Sequence, residues 1–324
     1  MITLLRLSEL LNNFFLSIEE LYPNQIGYMY MILANFVFSW HNYLVGITNR
    51  IPSSQVFYWQ NVVMLIMTYS IIKKHDRPFF SDLNKNNKLL ILQGTLGFLA
   101  GAFVFYGFQN VPLNEAIVIF QTNPAIVGIL SFIFLREPYD FNQFVITILN
   151  MAGVIFIAKP AIFFGNYHEG SVNEATRLGG IFALLAAAFF IAASNTTIKA
   201  VVSHVDPVLV NYYCALMSTL WNGPLMFYQE IVIPNFREFI NMFFVGGSAV
   251  TAIYLWNRAY LHGNAGKISL MGYSQIVFGY FFEIVLVKGS PDSYSTFGSG
   301  LIMACAVFQF YQTREGTKII ITVH

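Results

Sequence analysis

Long apolar runs alternate with short polar connections along this chain, and the runs set the elements. Apolar windows lie near residues 26–47, 54–72, 88–110, 112–135, 141–158, 178–202, 207–229, 238–261, 265–287 and 293–312. A helix of about 20 apolar residues matches the roughly 30 Å hydrocarbon core of a bilayer. In lipid the backbone must satisfy its own hydrogen bonds, and for runs of this length only a helix does so. The pattern predicts an all-α polytopic membrane protein with about ten transmembrane helices. The third and fourth windows are the least clearly separate, because only Val111-Pro112 divides them.

Two polar connections stand out, from Lys73 to Lys88 and from Lys159 to Arg177, and the second divides the chain into halves of about five spans. A step of 150 residues pairs Gly97 with Gly247, Tyr106 with Trp256 and Asn114 with Asn264, and a step of 153 pairs Pro138 with Pro291. Two copies with an odd number of spans must insert upside down relative to each other, an arrangement recurrent in secondary transporters. The expected organisation is an amphipathic or disordered segment over 1–25, a first repeat over 26–160, a connecting loop over 161–177, a second repeat over 178–312 and a tail over 313–324. In the first segment Leu4, Leu7, Leu11, Phe14, Phe15 and Ile18 recur at helical spacing, which suits a surface helix, with a frayed tail equally open.

Composition agrees with this reading. Of 324 residues 56% are hydrophobic and only 10% charged, and mean hydropathy is +0.59. A soluble domain carries about 25% charged residues, so most of this surface does not face water. A net charge of +1 lacks the basic face that nucleic acid requires. Cys214 and Cys305 lie inside apolar runs and define neither a disulfide framework nor a metal site. Residues 1–25 hold Arg6 against Glu9, Glu19 and Glu20, the wrong balance for a transit peptide. With both termini inside, 12 of the 17 Lys and Arg fall on the inner side, five of them in the loop after the second span. This is a positive-inside bias, and it predicts termini on the cytoplasmic or matrix side of a membrane not otherwise specified.

The fourth span carries Asn123-Pro124 and leads into Leu135-Arg136-Glu137-Pro138, with Gly153 in the span beyond. That stretch resembles the repeat-closing motif of EamA-type domains in the drug/metabolite transporter superfamily. Trp256–Ser269 and Gln275–Pro291 in the second half are similar to the G branch of solute carrier family 35. The resemblance covers roughly residues 27–312 and implies a ten-helix bundle with alternating access to a central cavity lined by spans one, three, four, six, eight and nine. The chain departs from the family pattern at Tyr58-Trp59-Gln60, where an aromatic-Arg pair is common, and at Ser290, where a glutamate is expected.

A polar side chain at bilayer depth costs free energy and calls for an account. Asn35, Ser39 and Asn42 form one stripe on the first span, with His41 about 100° away. They read either as cavity-facing or as interhelical hydrogen-bond partners. Gln121, Thr122 and Asn123 precede Pro124, which removes a backbone donor and leaves a carbonyl free near Phe120. A kink with loose polar groups near mid-bilayer is where discontinuous helices bind substrate. In the ninth span Tyr273, Ile276, Tyr280 and Glu283 form a stripe. Glu283 reads as a buried carboxylate suited to proton or ligand work, as a partner of Lys288, or as a headgroup-facing end. Arg258 suits either an anionic substrate or snorkelling to the interface, and Lys199 is balanced in the same way.

The sequence lacks H-E-x-x-H, G-x-S-x-G and phosphate-cradling loops, so an enzyme is not expected, nor is a cofactor or bound metal. The substrate-binding candidates are Asn35, Ser39, His41, Asn42, Gln121, Asn123, Tyr273, Tyr280, Glu283 and Arg258. The expected role is secondary transport of a small organic metabolite that is neutral, zwitterionic or amphipathic, since sugar phosphates want more than one central cation. The competing reading is a non-transporting subunit of a larger complex that retains the fold. Expected partners are a small-molecule solute and membrane lipid, with a homodimer or a membrane-complex partner both open.

Overall fold

The computed structural model describes residues 22, 25–48, 50–81, 83–159, 163, 174–226, 231–286 and 292–322. The expected surface helix at the N-terminus and most of the expected connecting loop lie outside these residues. The helices are α1 (Ile26–Gly46), α2 (Ser53–Lys74), α3 (Asn84–Asn110), α4 (Leu113–Phe120), α5 (Asn123–Leu130), α6 (Phe141–Ala158), α7 (Glu174–Val202), α8 (Pro207–Met226), α9 (Phe236–His262), α10 (Ala265–Leu270), α11 (Ser274–Leu286) and α12 (Ser293–Thr322). They make ten spans, because α4 with α5 and α10 with α11 are each one broken span. Among the described residues there is no strand. The third and fourth spans are indeed separate: α3 ends at Asn110, and Pro112 precedes α4 with the fixed φ of a helix start.

Six helical segments among the described residues are long and apolar enough to cross a membrane, including Glu115–Leu135 and Ala265–Leu286, which contain the breaks. α1, α2, α8 and α12 fall short because polar side chains dilute them, such as Asn35, Ser39, His41 and Asn42 in α1. Hydroxyls inside spans bond back to their own helix: Thr68 Oγ1 donates to Met64 O at 2.7 Å and Thr196 Oγ1 to Ala192 O at 2.9 Å. Phe134, Phe182, Phe243 and Phe297 stand exposed around the bundle, which suits lipid and not water.

Packing relates the two halves by an inverted two-fold. α3 lies along α7 as α1 lies along α9; α2 meets α8, α6 meets α12, and the two broken spans meet each other. Small residues set the close approaches. A Cβ on Gly94 of α3 would sit 2.7 Å from Tyr213 O of α8, and one on Gly246 of α9 would meet Val63 Cβ of α2 at 2.5 Å and Gln60 O at 3.3 Å. These are equivalent contacts across the two halves, each from the third helix of one half to the second helix of the other. Gly153 of α6 and Gly298 of α12 touch backbone to backbone, each glycine's missing Cβ falling within 2.9 Å of the other's carbonyl oxygen.

Candidate functional site

The two breaks lie at matching places, after α4 and after α10, and each exposes backbone groups that need partners. In span four, Pro124 leaves the Phe120 carbonyl without its helical donor. Asn123 Nδ2 supplies one at 2.9 Å, and Thr122 Oγ1 donates to Ile119 O at 2.8 Å. The break is closed from within. In span nine a tight turn, Met271–Tyr273, separates α10 from α11. Here the partner comes from span one: Asn35 Nδ2 donates to Met271 O at 2.8 Å and to Ser274 Oγ at 3.0 Å, and Ser39 Oγ donates to Gln275 O at 2.9 Å.

The broken spans cross at small residues. A Cβ on Gly266 would lie 3.4 Å from Gly128 Cα, and Ser269 Oγ donates to Pro124 O at 3.3 Å. Beyond the crossing, Arg136 takes a left-handed φ of 56° that ends span four and turns Glu137 back toward span nine. Glu137 Oε2 accepts the Ala265 N–H at 2.7 Å, at the positive end of α10. Burial pushes the Glu137 carboxyl above its ordinary value, opposed by the Ala265 N–H, by the charge of Lys199 and by the Gly266 N–H. Lys199 Nζ donates to Tyr260 O at 2.9 Å in the last turn of α9, where a cation meets the negative helix end. Lys267 and Asp140 close the same end of the molecule at 3.1 Å.

These contacts sort the residues singled out from sequence. Gln121 and Asn123 are half-buried at the break in span four. Asn42 is exposed on the stripe that begins at Asn35. Asn35 and Ser39 are buried and bound to the backbone of span nine, so the interhelical alternative describes them. His41 is buried against α9: Nδ1 lies 3.1 Å from the Val245 carbonyl, which only accepts, so that nitrogen carries the proton. Arg258 lies over the Tyr30 ring, 5.5 Å from its centroid.

The stripe in span nine requires correction. Tyr273 is fully buried among Ile146, Val154, Leu270, Ile302 and Cys305, facing α6 and α12. Tyr280 takes the Asp292 N–H at 3.0 Å and so fastens the connection to α12. Glu283 is exposed near the end of α11, not buried in the core, and Lys288 lies outside the described residues. The opposite face, with Ser274 and the backbone of Gln275, meets span one. Helical periodicity placed these residues on one stripe but carried no information about which neighbour that stripe meets.

Two parts of the arrangement escaped the sequence reading. Glu137 stood inside a recognised loop motif without a role of its own. Asn195 accepts from Trp256 Nε1 at 3.2 Å, and the Trp256 ring packs edge-on against Phe38 at 5.7 Å. An amide and a tryptophan each inside a span were the available signal. Among the described residues no group of three His, Cys, Asp or Glu is placed to hold a metal.

A bundle of ten spans in two inverted halves, with a broken helix at the same place in each, defines a membrane transporter of the inverted-repeat class. The sequence profile of the EamA-like transporter family matches residues 25–159 and again 178–311. The chain belongs to the EamA-like transporter family, an integral membrane family of the drug/metabolite transporter superfamily, whose members are transporters and not enzymes. It is 24% identical over 307 residues to solute carrier family 35 member G1 of Homo sapiens, covering 90% of this chain and 81% of that one. It is 23% identical over 291 residues to the pseudopaline exporter of Pseudomonas aeruginosa, covering 90% and 97%. A protein of known crystal structure superimposes with a TM-score of 0.74 at 15% identity, over 90% of this chain and 98% of the other, a likeness of fold.

Proposed function

We propose that this protein is a secondary transporter that moves a small organic metabolite by alternating access, its two repeats (26–160 and 178–312) rocking about the crossing of the broken spans. The observation that carries the reading is that crossing: spans four and nine break at equivalent places and meet through Gly128 and Gly266, where small residues let helices slide. Gln121 and Asn123 at the break, with Asn42 nearer the far end of span one, are the polar groups proposed to meet the solute. The solute class is neutral, zwitterionic or amphipathic. Lys199 is engaged with the Tyr260 carbonyl and Arg258 with the Tyr30 ring, which supports a solute that needs no pair of cations. The relative named for export of pseudopaline supports an organic metabolite. The inner side is proposed to be the end bearing Lys73, Lys74, Arg77 and Lys267, by the positive-inside bias.

The test is reconstitution into liposomes with a panel of organic solutes. Saturable flux of one class, reduced by Gln121→Ala, is expected. No flux for any class, together with stoichiometric co-purification in a membrane complex, overturns the reading in favour of a scaffold.

A further inference from the structure

At the end of the bundle rich in Lys and Arg, a pocket of about 280 Å³ opens between the α2–α3 loop and the α7–α8 loop. Its walls include Ile72, Arg77, Phe80, Ser81, His204 and Asp206. The loop that forms one wall is firmly held. Phe79 stacks on Tyr69 at 5.4 Å, and its carbonyl accepts from Tyr213 Oη at 3.3 Å. Ser81 is gripped on both its backbone groups by Asn87, at 2.8 and 2.9 Å, and on its hydroxyl by Asn86.

We propose that this pocket binds the phosphate-bearing headgroup of an anionic membrane lipid. Three observations converge. The first is charge. Arg77 and His204 line the pocket, and Lys73 and Lys74 stand exposed in the last turn of α2 beside it. Among the described residues of the wall the one acid, Asp206, is already engaged: it pairs with Arg77 and its Oδ1 accepts the Val208 N–H at 2.8 Å as the cap of α8. The guanidinium carries five N–H donors, and a single carboxylate does not exhaust them. The second is the rim. Phe80 projects from it with 68% of its surface exposed, an apolar ring in the loop just beyond the end of α2, placed to enter the headgroup–acyl boundary. The third is place. Basic residues at a span end attract anionic leaflet lipids, with roughly fivefold in affinity for each Lys or Arg near the surface. The site is separate from the proposed solute path and does not depend on transport.

The experiment uses the full-length protein in phosphatidylcholine nanodiscs with phosphatidylglycerol added, retained lipid being counted by native mass spectrometry. Phosphatidylglycerol should be retained over phosphatidylcholine. Arg77→Gln with His204→Gln should weaken retention about fivefold or more. Asp206→Asn keeps an α8 cap but removes the competing acid, and it should strengthen retention, a gain that misfolding does not produce. Equal retention in all variants overturns the site. So does binding of inorganic phosphate in detergent without any preference for phosphatidylglycerol, because that outcome assigns the pocket to a free anion.

Discussion

The Glu137 carboxylate accepts the backbone N–H of Ala265 at 2.7 Å, so the loop that closes the first repeat is tied to the start of the broken span in the second. The residues are far apart in sequence, and the bond spans the two halves that the proposed mechanism moves against each other. The Arg-Glu-Pro loop thereby gains a physical account. Arg136 ends the helix in a left-handed turn, and the turn aims the carboxylate at the positive end of α10.

Replacing Glu137 by Ala removes a charged hydrogen bond, which is worth about 1.5–3 kcal/mol. Glu137→Ala should lower the unfolding midpoint in detergent, and Glu137→Gln, which keeps an acceptor, should recover part of the loss. Equal effects of the two variants would show that the bond to Ala265 does not matter.

Gly153 and Gly298 allow α6 and α12 to touch through their backbones. A Cβ on Gly153 would fall 2.7 Å from Ile302 Cγ1 and 2.9 Å from Gly298 O. Overpacking of this kind costs about 1–3 kcal/mol. Gly153→Val should destabilise the protein by that amount in thermal unfolding. Gly247→Ala, where nothing lies within 4 Å of the added carbon, should leave the midpoint near that of the unmodified chain.

Asn35 and Gln121 divide structural from solute-facing polar groups. Asn35→Ala loses the bond to Met271 O, and interhelical hydrogen bonds in membranes contribute about 0.6 kcal/mol on average, up to about 1.7. It should lower the unfolding midpoint with little change in KM. Gln121→Ala should raise KM for the transported solute with the midpoint unchanged. The reverse pattern would return Asn35 to the solute path.

At the opposite end, Lys159 pairs with Asp292, whose carboxyl is held below its ordinary value by that ammonium and by the Ser295 N–H. A depressed carboxylate binds its proton less readily in the folded protein than in the unfolded chain. Its stabilising contribution is therefore complete above the ordinary value of 3.8 and is lost as pH falls below it through the folded value. The gap in unfolding midpoint between the wild type and Asp292→Asn should narrow as pH is lowered from about 6 to below 3.8. A gap that persists unchanged at low pH would show that the pair contributes nothing.

Much of the architecture was legible in the sequence because lipid leaves few options. Apolar runs of bilayer length become helices, and prolines mark their starts, as at Pro112. Pro124 went further: a free carbonyl was expected near Phe120, and Asn123 fills it. The site was less legible because helical spacing gives a face and not a neighbour. Asn35 and Ser39 share a stripe, as read, but that stripe meets the backbone of span nine. Tyr273 and Tyr280 share one too, and it meets α6 and α12 or the α11–α12 connection. In a membrane an apolar side chain facing lipid looks the same in sequence as one facing the core, so amphipathicity offers no correction.

The central claim is that the break in span four opens in turn to each side of the membrane. Cysteine at position 121, in a chain whose Cys214 and Cys305 are replaced by Ala, tests it in sealed vesicles with a membrane-impermeant thiol reagent applied outside or trapped inside. The account predicts labelling from both sides, with added solute altering the two rates in opposite directions. Labelling from one side only, unchanged by any solute, contradicts it.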